Sequence, residues 1–262
     1  SEISMTNGSS AGFEMVYSWD GGDLSLASSL FQVDGIALLL SDDLSITGNS
    51  RLGWNNTFNL VTTTFTMDNS TLGSTSKSSP DEEIWANVTT EVSVRYSYFN
   101  VSYIFFTSRN TELFGVDYDI ELLNFSATNL MYLNSTTLDS DDIILSAGNL
   151  RSRDSTIENF EITATKVYLY QSILKSSSSN IQIISDDLKI IESSIATNYL
   201  FYIDADVIYA VDTYLNASTS SGKLEIHSDS FDLSDSSINV QGDATIDADE
   251  IDFDSFSISA NH

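Results

Sequence analysis

The chain has no cysteine. Disulfides therefore contribute nothing to its stability, and no thiol is available as a nucleophile. It has one proline, Pro80, and two histidines, His227 and His262, among 262 residues. Lys and Arg number 10 against 38 Asp and Glu, giving a net charge of -28. Nucleic acid is excluded as an expected partner, because phosphate binding needs a basic stripe. An anionic membrane surface repels such a chain for the same reason. No apolar run is long enough to cross a bilayer, so membrane insertion is not expected. The first residues show no basic-then-apolar signal. The P-loop, G-x-G-x-x-G, G-x-S-x-G and H-E-x-x-H motifs are all missing.

These absences bear on catalysis. A lyase acting on uronates needs cations for the substrate carboxylates, and this chain is poor in them. A glycoside hydrolase needs two close carboxylates in a groove. Acidic pairs are so frequent here that finding one carries little information. His227 alternates with Ile226 and Ser228 and so points outward from a strand. No enzymatic activity, catalytic residue or organic cofactor is expected.

What is present is a repeat of about 20 residues. Ile143, Leu145, Ala147, Leu150, Ser152, Ser155 and Ile157 form one copy. Phe160, Ile162, Ala164, Val167, Leu169, Ser172 and Leu174 form the next, and Ile181, Ile183, Ser185, Leu188, Ile190, Ser193 and Ile195 the one after. The same spacing recurs from Phe201 to Leu215, from Leu224 to Ile238 and from Ala244 to Ile258. Apolar residues alternate with polar ones, which is the period of a strand with one buried face. The alternation breaks at two corners within a copy and at a third between copies. Stacked turns then pair each strand in parallel with its equivalents above and below. The small residue at 147, 164, 185, 205, 228 and 248 enters a tight corner. The Ser or Thr at 155, 172, 193, 213 and 236 enters the next strand, where its hydroxyl can bond along the stack.

The pattern extends upstream less regularly. Ala37, Leu39, Ser41, Leu44, Ile46 and, one residue late, Leu52 fit it, as do Phe58 to Leu72. Leu123, Phe125, Ala127, Leu130, Tyr132 and Leu138 fit with one residue to spare. The expected fold is all-β: a parallel β-helix of about twelve turns, each of three short strands. It forms one domain over 1–262, irregular with loop insertions in 1–122 and regular in 123–258. Gly73 to Glu83, which holds Pro80, reads as a protruding loop.

Eight N-x-Ser/Thr sequons stand at Asn7, Asn55, Asn69, Asn87, Asn100, Asn124, Asn134 and Asn216. Part of that number follows from the richness in Ser and Thr. The sequons nonetheless point to a glycosylated chain outside the cell or on its surface. A second constellation follows the small corner residue. Asp186, Asp206, Asp229 and Asp249 stack there in consecutive turns, with Asp42 at the same offset upstream. Either this column splays into water, or a hard cation such as Ca²⁺ bridges it.

The copies, such as Asp243-Ala-Thr-Ile-Asp-Ala-Asp-Glu-Ile-Asp-Phe-Asp254, resemble the repeats of parallel β-helical surface proteins of the filamentous haemagglutinin and adhesin type. That resemblance implies a right-handed coil and a role in adhesion or surface fibres. The first functional expectation is a structural subunit that assembles head-to-tail with copies of itself through open solenoid ends. The alternative is an adhesin-like module holding a glycan or receptor on its flank. A β-helical polysaccharide-degrading enzyme is the third. Exposed aromatics along one groove would favour the module, a cleft with two converging carboxylates the enzyme, and a flat flank with open ends the fibre.

Overall fold

A computed structural model describes residues 3–6, 10–13, 17–20, 22–33, 37–54, 57–73, 83–219 and 222–260. Among them the regular elements are all β-strands, paired in parallel with partners about one repeat away. This is the parallel β-solenoid that the repeat specifies. The chain divides into two compact units, Ser1–Thr128 and Asn129–His262. Asn7, Asn55, His262 and the stretch around Pro80 lie outside the described residues.

In the second unit one coil consists of the strand Phe160–Tyr170 followed by the short strand Ile173–Ser176. The next is Ile181–Ile191 with Ser194–Thr197, and the next Leu200–Val211 with Tyr214–Ala217. The first two sides of each coil thus share one long strand that bends at the small residue. All seven inward positions of these three coils are buried. Ile162, Ile183, Ile203 and Ile226 stack in one column through successive registers. Stiff β-branched side chains suit such a pleated, stacked surface. Each fully buried Ile or Leu contributes about 1.5–3 kcal/mol of transfer free energy.

Hydroxyls close the corners. Before the third side stands a residue with positive φ, such as Asp154, Gln171, Glu192, Asp212 and Asp235. The Ser or Thr that follows donates to the carbonyl two residues back, as Ser193 Oγ does to Ile191 at 2.7 Å. The same oxygen accepts the backbone N–H of its equivalent in the previous coil, Ser172, at 3.1 Å. Thr213 N–H meets Ser236 Oγ at 2.9 Å in the same way. One buried hydroxyl therefore satisfies a donor that the corner takes out of the ladder. At the first corner Ser185 Oγ bridges the carbonyls of Thr165 and Asp187, and Ser228 Oγ those of Asp206 and Ser230.

Two departures from the sequence pattern are informative. Leu130 and Tyr132, expected inward, are half exposed, and Met131 and Leu133 are fully buried in their place. The extra residue of that copy sits in its first corner, between Ala127 and Met131, and not in its second. In the last coil the inward positions are open on one side. Ile251 is 50% exposed, and Phe256 and Ile258 are each 42% exposed, whereas Phe231 in the coil before is 1% exposed.

The first unit fills its coils with aromatic rings. Trp54 stacks on Phe58 at 4.6 Å, and Phe106 lies against Phe65, Phe99 and Phe125. Tyr118 packs edge-on to Phe99 and is fully buried. Among the described residues its hydroxyl has no hydrogen-bond partner. Burial also pushes that hydroxyl's pKa well above the ordinary 10. An unpartnered buried hydroxyl costs about 1–3 kcal/mol, so Tyr118→Phe is expected to raise the melting temperature at neutral pH. The pH effect has a definite sign. The folded-state pKa lies above the unfolded one, so the group's contribution is intact below pH 10 and is lost as pH rises beyond it. The phenylalanine variant should lose less stability than the native chain between pH 9 and 11. A lower melting temperature for Tyr118→Phe at pH 7 would show that the hydroxyl is satisfied after all.

Candidate functional site

Inward positions are dictated by the core, but outward positions on the same strands are free. On the second side of the coils in the second unit, those free positions carry an unusual set. The strand Thr137–Arg153 presents Asn149, Arg151 and Arg153; Phe160–Tyr170 presents Lys166, Tyr168 and Tyr170; Ile181–Ile191 presents Asp187 and Lys189. With Leu130 and Tyr132 they line an open cleft of about 800 Å³. Four of the chain's 10 basic residues lie in this one lining.

Register arranges them in columns. Arg151 faces Tyr168, Tyr168 faces Lys189, and Lys189 faces Tyr209. Cation and phenol thus alternate once per coil along the stack. The neighbouring column pairs Arg153 with Tyr170, and the guanidinium carbon lies 5.5 Å from the ring centroid. Two of the cations have acidic partners: Arg153 with Asp154 at 3.3 Å and Lys166 with Asp187 at 3.9 Å. Arg151 and Lys189 make no ion pair among the described residues, in a chain where acids outnumber bases almost four to one. They flank Tyr168 and stand two strand spacings apart, roughly 10 Å. At that distance in water their mutual repulsion is only about 0.4 kcal/mol. Tyr168 and Tyr209 are each 37% exposed, so both side chains reach solvent. Among the described residues Asp187, paired with Lys166, is the only carboxylate in the lining, whereas glycoside hydrolysis uses two.

The first unit has a smaller platform. Trp85 and Phe105 face each other in register and stack at 3.9 Å with planes 8° apart. Trp85 remains 46% exposed, and its indole N–H donates to Glu83. The sequon residues Asn87 and Asn124 line the same shallow groove. Asn87 and Asn69 are exposed, and Asn100, Asn124, Asn134 and Asn216 are half exposed. Asn87 accepts from Thr107 Oγ1 at 3.3 Å, and Asn216 from Asn239 at 3.1 Å.

The aspartate column also has a place. Asp186, Asp206, Asp229 and Asp249 occupy the first corner of consecutive coils and are all exposed, as is Asp42 in the first unit. Among the described residues no three carboxylate or imidazole groups gather as a metal site requires. We therefore expect Asp206→Asn and Asp229→Asn to be neutral or to stabilise by a few tenths of a kcal/mol through relief of like-charge repulsion. The melting temperature should be the same with millimolar calcium as with chelator at fixed ionic strength. A calcium-dependent rise that disappears in the Asn variants would establish the bridged column. His227 is half exposed, 3.9 Å from Asp247 and beside the Tyr202 ring.

The cation–tyrosine flank is the part of the site that motif reasoning passes over. Its signal is nevertheless in the chain: Arg151, Arg153, Lys166, Tyr168, Tyr170 and Lys189 all sit at outward offsets of three adjacent copies. No family model matches this chain, and neither a curated protein nor a solved structure matches it.

Proposed function

We propose that the chain is an extracellular binding module that holds a polysaccharide along the flank of its second unit. The observation that carries this reading is the ladder Arg151–Tyr168–Lys189–Tyr209, which repeats complementary chemistry once per coil. The C–H face of a sugar ring packs on a phenol, whose ring is apolar in body and polar at its tip. Sugar hydroxyls accept hydrogen bonds from Arg, Lys and Asn donors. A polymer laid along the stack meets a cation and a phenol in alternation, one per coil, which multiplies weak subsites into usable affinity. The resemblance to adhesin-type repeats favours the same reading, and the sequons favour an extracellular setting. The lone, paired carboxylate in the cleft favours binding over hydrolysis.

The test is calorimetric titration with a panel of soluble polysaccharides, neutral and acidic. At least one should bind, and Tyr168→Ala and Tyr209→Ala should each weaken it about tenfold with an unchanged melting temperature. A native chain that binds none of them would overturn the proposal.

A further inference from the structure

We infer that the polymer held on this flank is acidic, with one anionic group on every second sugar. The inference rests on the reading of the flank as a polysaccharide site and adds to it the ligand's charge pattern. Arg151 and Lys189 carry it. Both are without an acidic partner among the described residues, in a chain that carries 38 acidic side chains. A cation on a free outward position of so acidic a chain is not required by folding. Two of them, one coil on either side of an exposed tyrosine, form a pattern that matches an anion. An Arg fork binds a carboxylate or sulfate through two parallel hydrogen bonds, and a Lys holds it as a point charge.

The spacing sets the pattern. Successive coils are about 4.8 Å apart, close to the advance of one sugar in an extended β-linked chain. One sugar therefore falls on each coil. Acidic sugars meet Arg151 and Lys189, and the sugar between them packs on Tyr168. The next lies on Tyr209. Beyond Tyr209 the same column continues with Asp232 and Asp252, which repel an anion and end the site. The ladder accordingly accommodates about four sugars. The net charge of -28 opposes a polyanion at long range, but at physiological salt charges beyond about 8 Å are screened. Affinity should therefore rise from very low salt to an optimum and fall again as the contact pairs are screened.

The experiment titrates the full chain with four probes by calorimetry: a hyaluronan hexasaccharide, with a carboxylate on every second sugar; a polygalacturonate hexamer, with one on every sugar; neutral cellohexaose; and single-stranded dT6. The expected result is tightest binding to the hyaluronan hexasaccharide, with the salt optimum described. Arg151→Gln and Lys189→Gln should each weaken it about tenfold, and neither should alter the melting curve, because both positions face outward. A hyaluronan disaccharide should bind far more weakly than the hexasaccharide. Equal affinity for cellohexaose, or indifference to the two Gln substitutions, would overturn the inference and leave the polysaccharide reading standing. Equal or tighter binding of polygalacturonate would overturn the alternate spacing. Preference for dT6, or no binding of any sugar, would overturn the inference and the reading together.

Discussion

Ile183→Asp is expected to unfold the second unit or to lower its stability by more than 4 kcal/mol, a loss that few single substitutions reach. Ile183 is fully buried and stands in register between Ile162 and Ile203. The substitution loses about 1.5–3 kcal/mol of apolar burial. It also places a carboxyl group where the column offers only aliphatic neighbours, at a further cost of several kcal/mol even if the group is protonated. Domains are stable by about 5–15 kcal/mol in total, so the sum is a large fraction of what holds the unit together. The adjacent Gln182 faces outward between Glu161 and Tyr202. Gln182→Asp adds a like charge opposite Glu161, worth at most about 1 kcal/mol. Circular dichroism melts of the two variants should differ widely. Equal losses would show that the register is wrong.

The difference between these neighbours is also the reason the fold was legible in the sequence. Inward offsets such as Phe160, Ile162, Val167 and Leu169 repeat because each must fit the coil above and below it. Where reading failed, at Leu130 and Tyr132, period alone could not decide. Leu130, Met131, Tyr132 and Leu133 are all apolar, so either register satisfies the pattern. The discriminating signal is the corner: Ser135 and Thr136 repeat the arrangement of Asp154 with Ser155 and of Gln171 with Ser172, a positive-φ residue followed by a hydroxyl. Counting back from Thr136 puts Leu133 and Met131 inside. The flank was harder to see for a different reason. Arg151, Tyr168 and Lys189 do nothing for the core, and no fixed motif describes them. Only the parallel stacking turns three separate outward letters into one surface, and only the scarcity of cations elsewhere makes that surface unusual. Architecture was therefore read from what repeats and the site from what deviates, and fold alone does not assign the latter's function.

Gly73→Ala is the second substitution with a large expected effect, and its cause is backbone and not core. Gly73 ends the strand Thr71–Gly73 with φ +139, a conformation that L side chains rarely adopt. A Cβ there would lie 2.3 Å from the carbonyl oxygen of Asn100 and under 3 Å from its carbonyl carbon and its nitrogen. Asn100 is the register partner of Gly73 in the next coil, so no flexible side chain can swing aside, and the two coils must separate. Strained φ alone costs about 1–3 kcal/mol, and the displaced ladder adds to it. A loss of at least 3 kcal/mol from the first unit is expected. Gly115 provides the control. Its φ is +58, and a Cβ there would meet only the ring of Tyr96, a side chain that is 61% exposed and can rotate away. The equivalent corners of other coils hold Ser28, Asn69, Gln171 and Glu192 in the same left-handed region. Gly115→Ala should therefore cost about 1–2 kcal/mol, and Gly115→Asn less still. Thermal melts of the three variants should rank Gly73→Ala as by far the least stable. If Gly73→Ala melted with the native chain, Gly73 could not lie against the Asn100 backbone, and the pairing of these two coils at their third side would have to be redrawn.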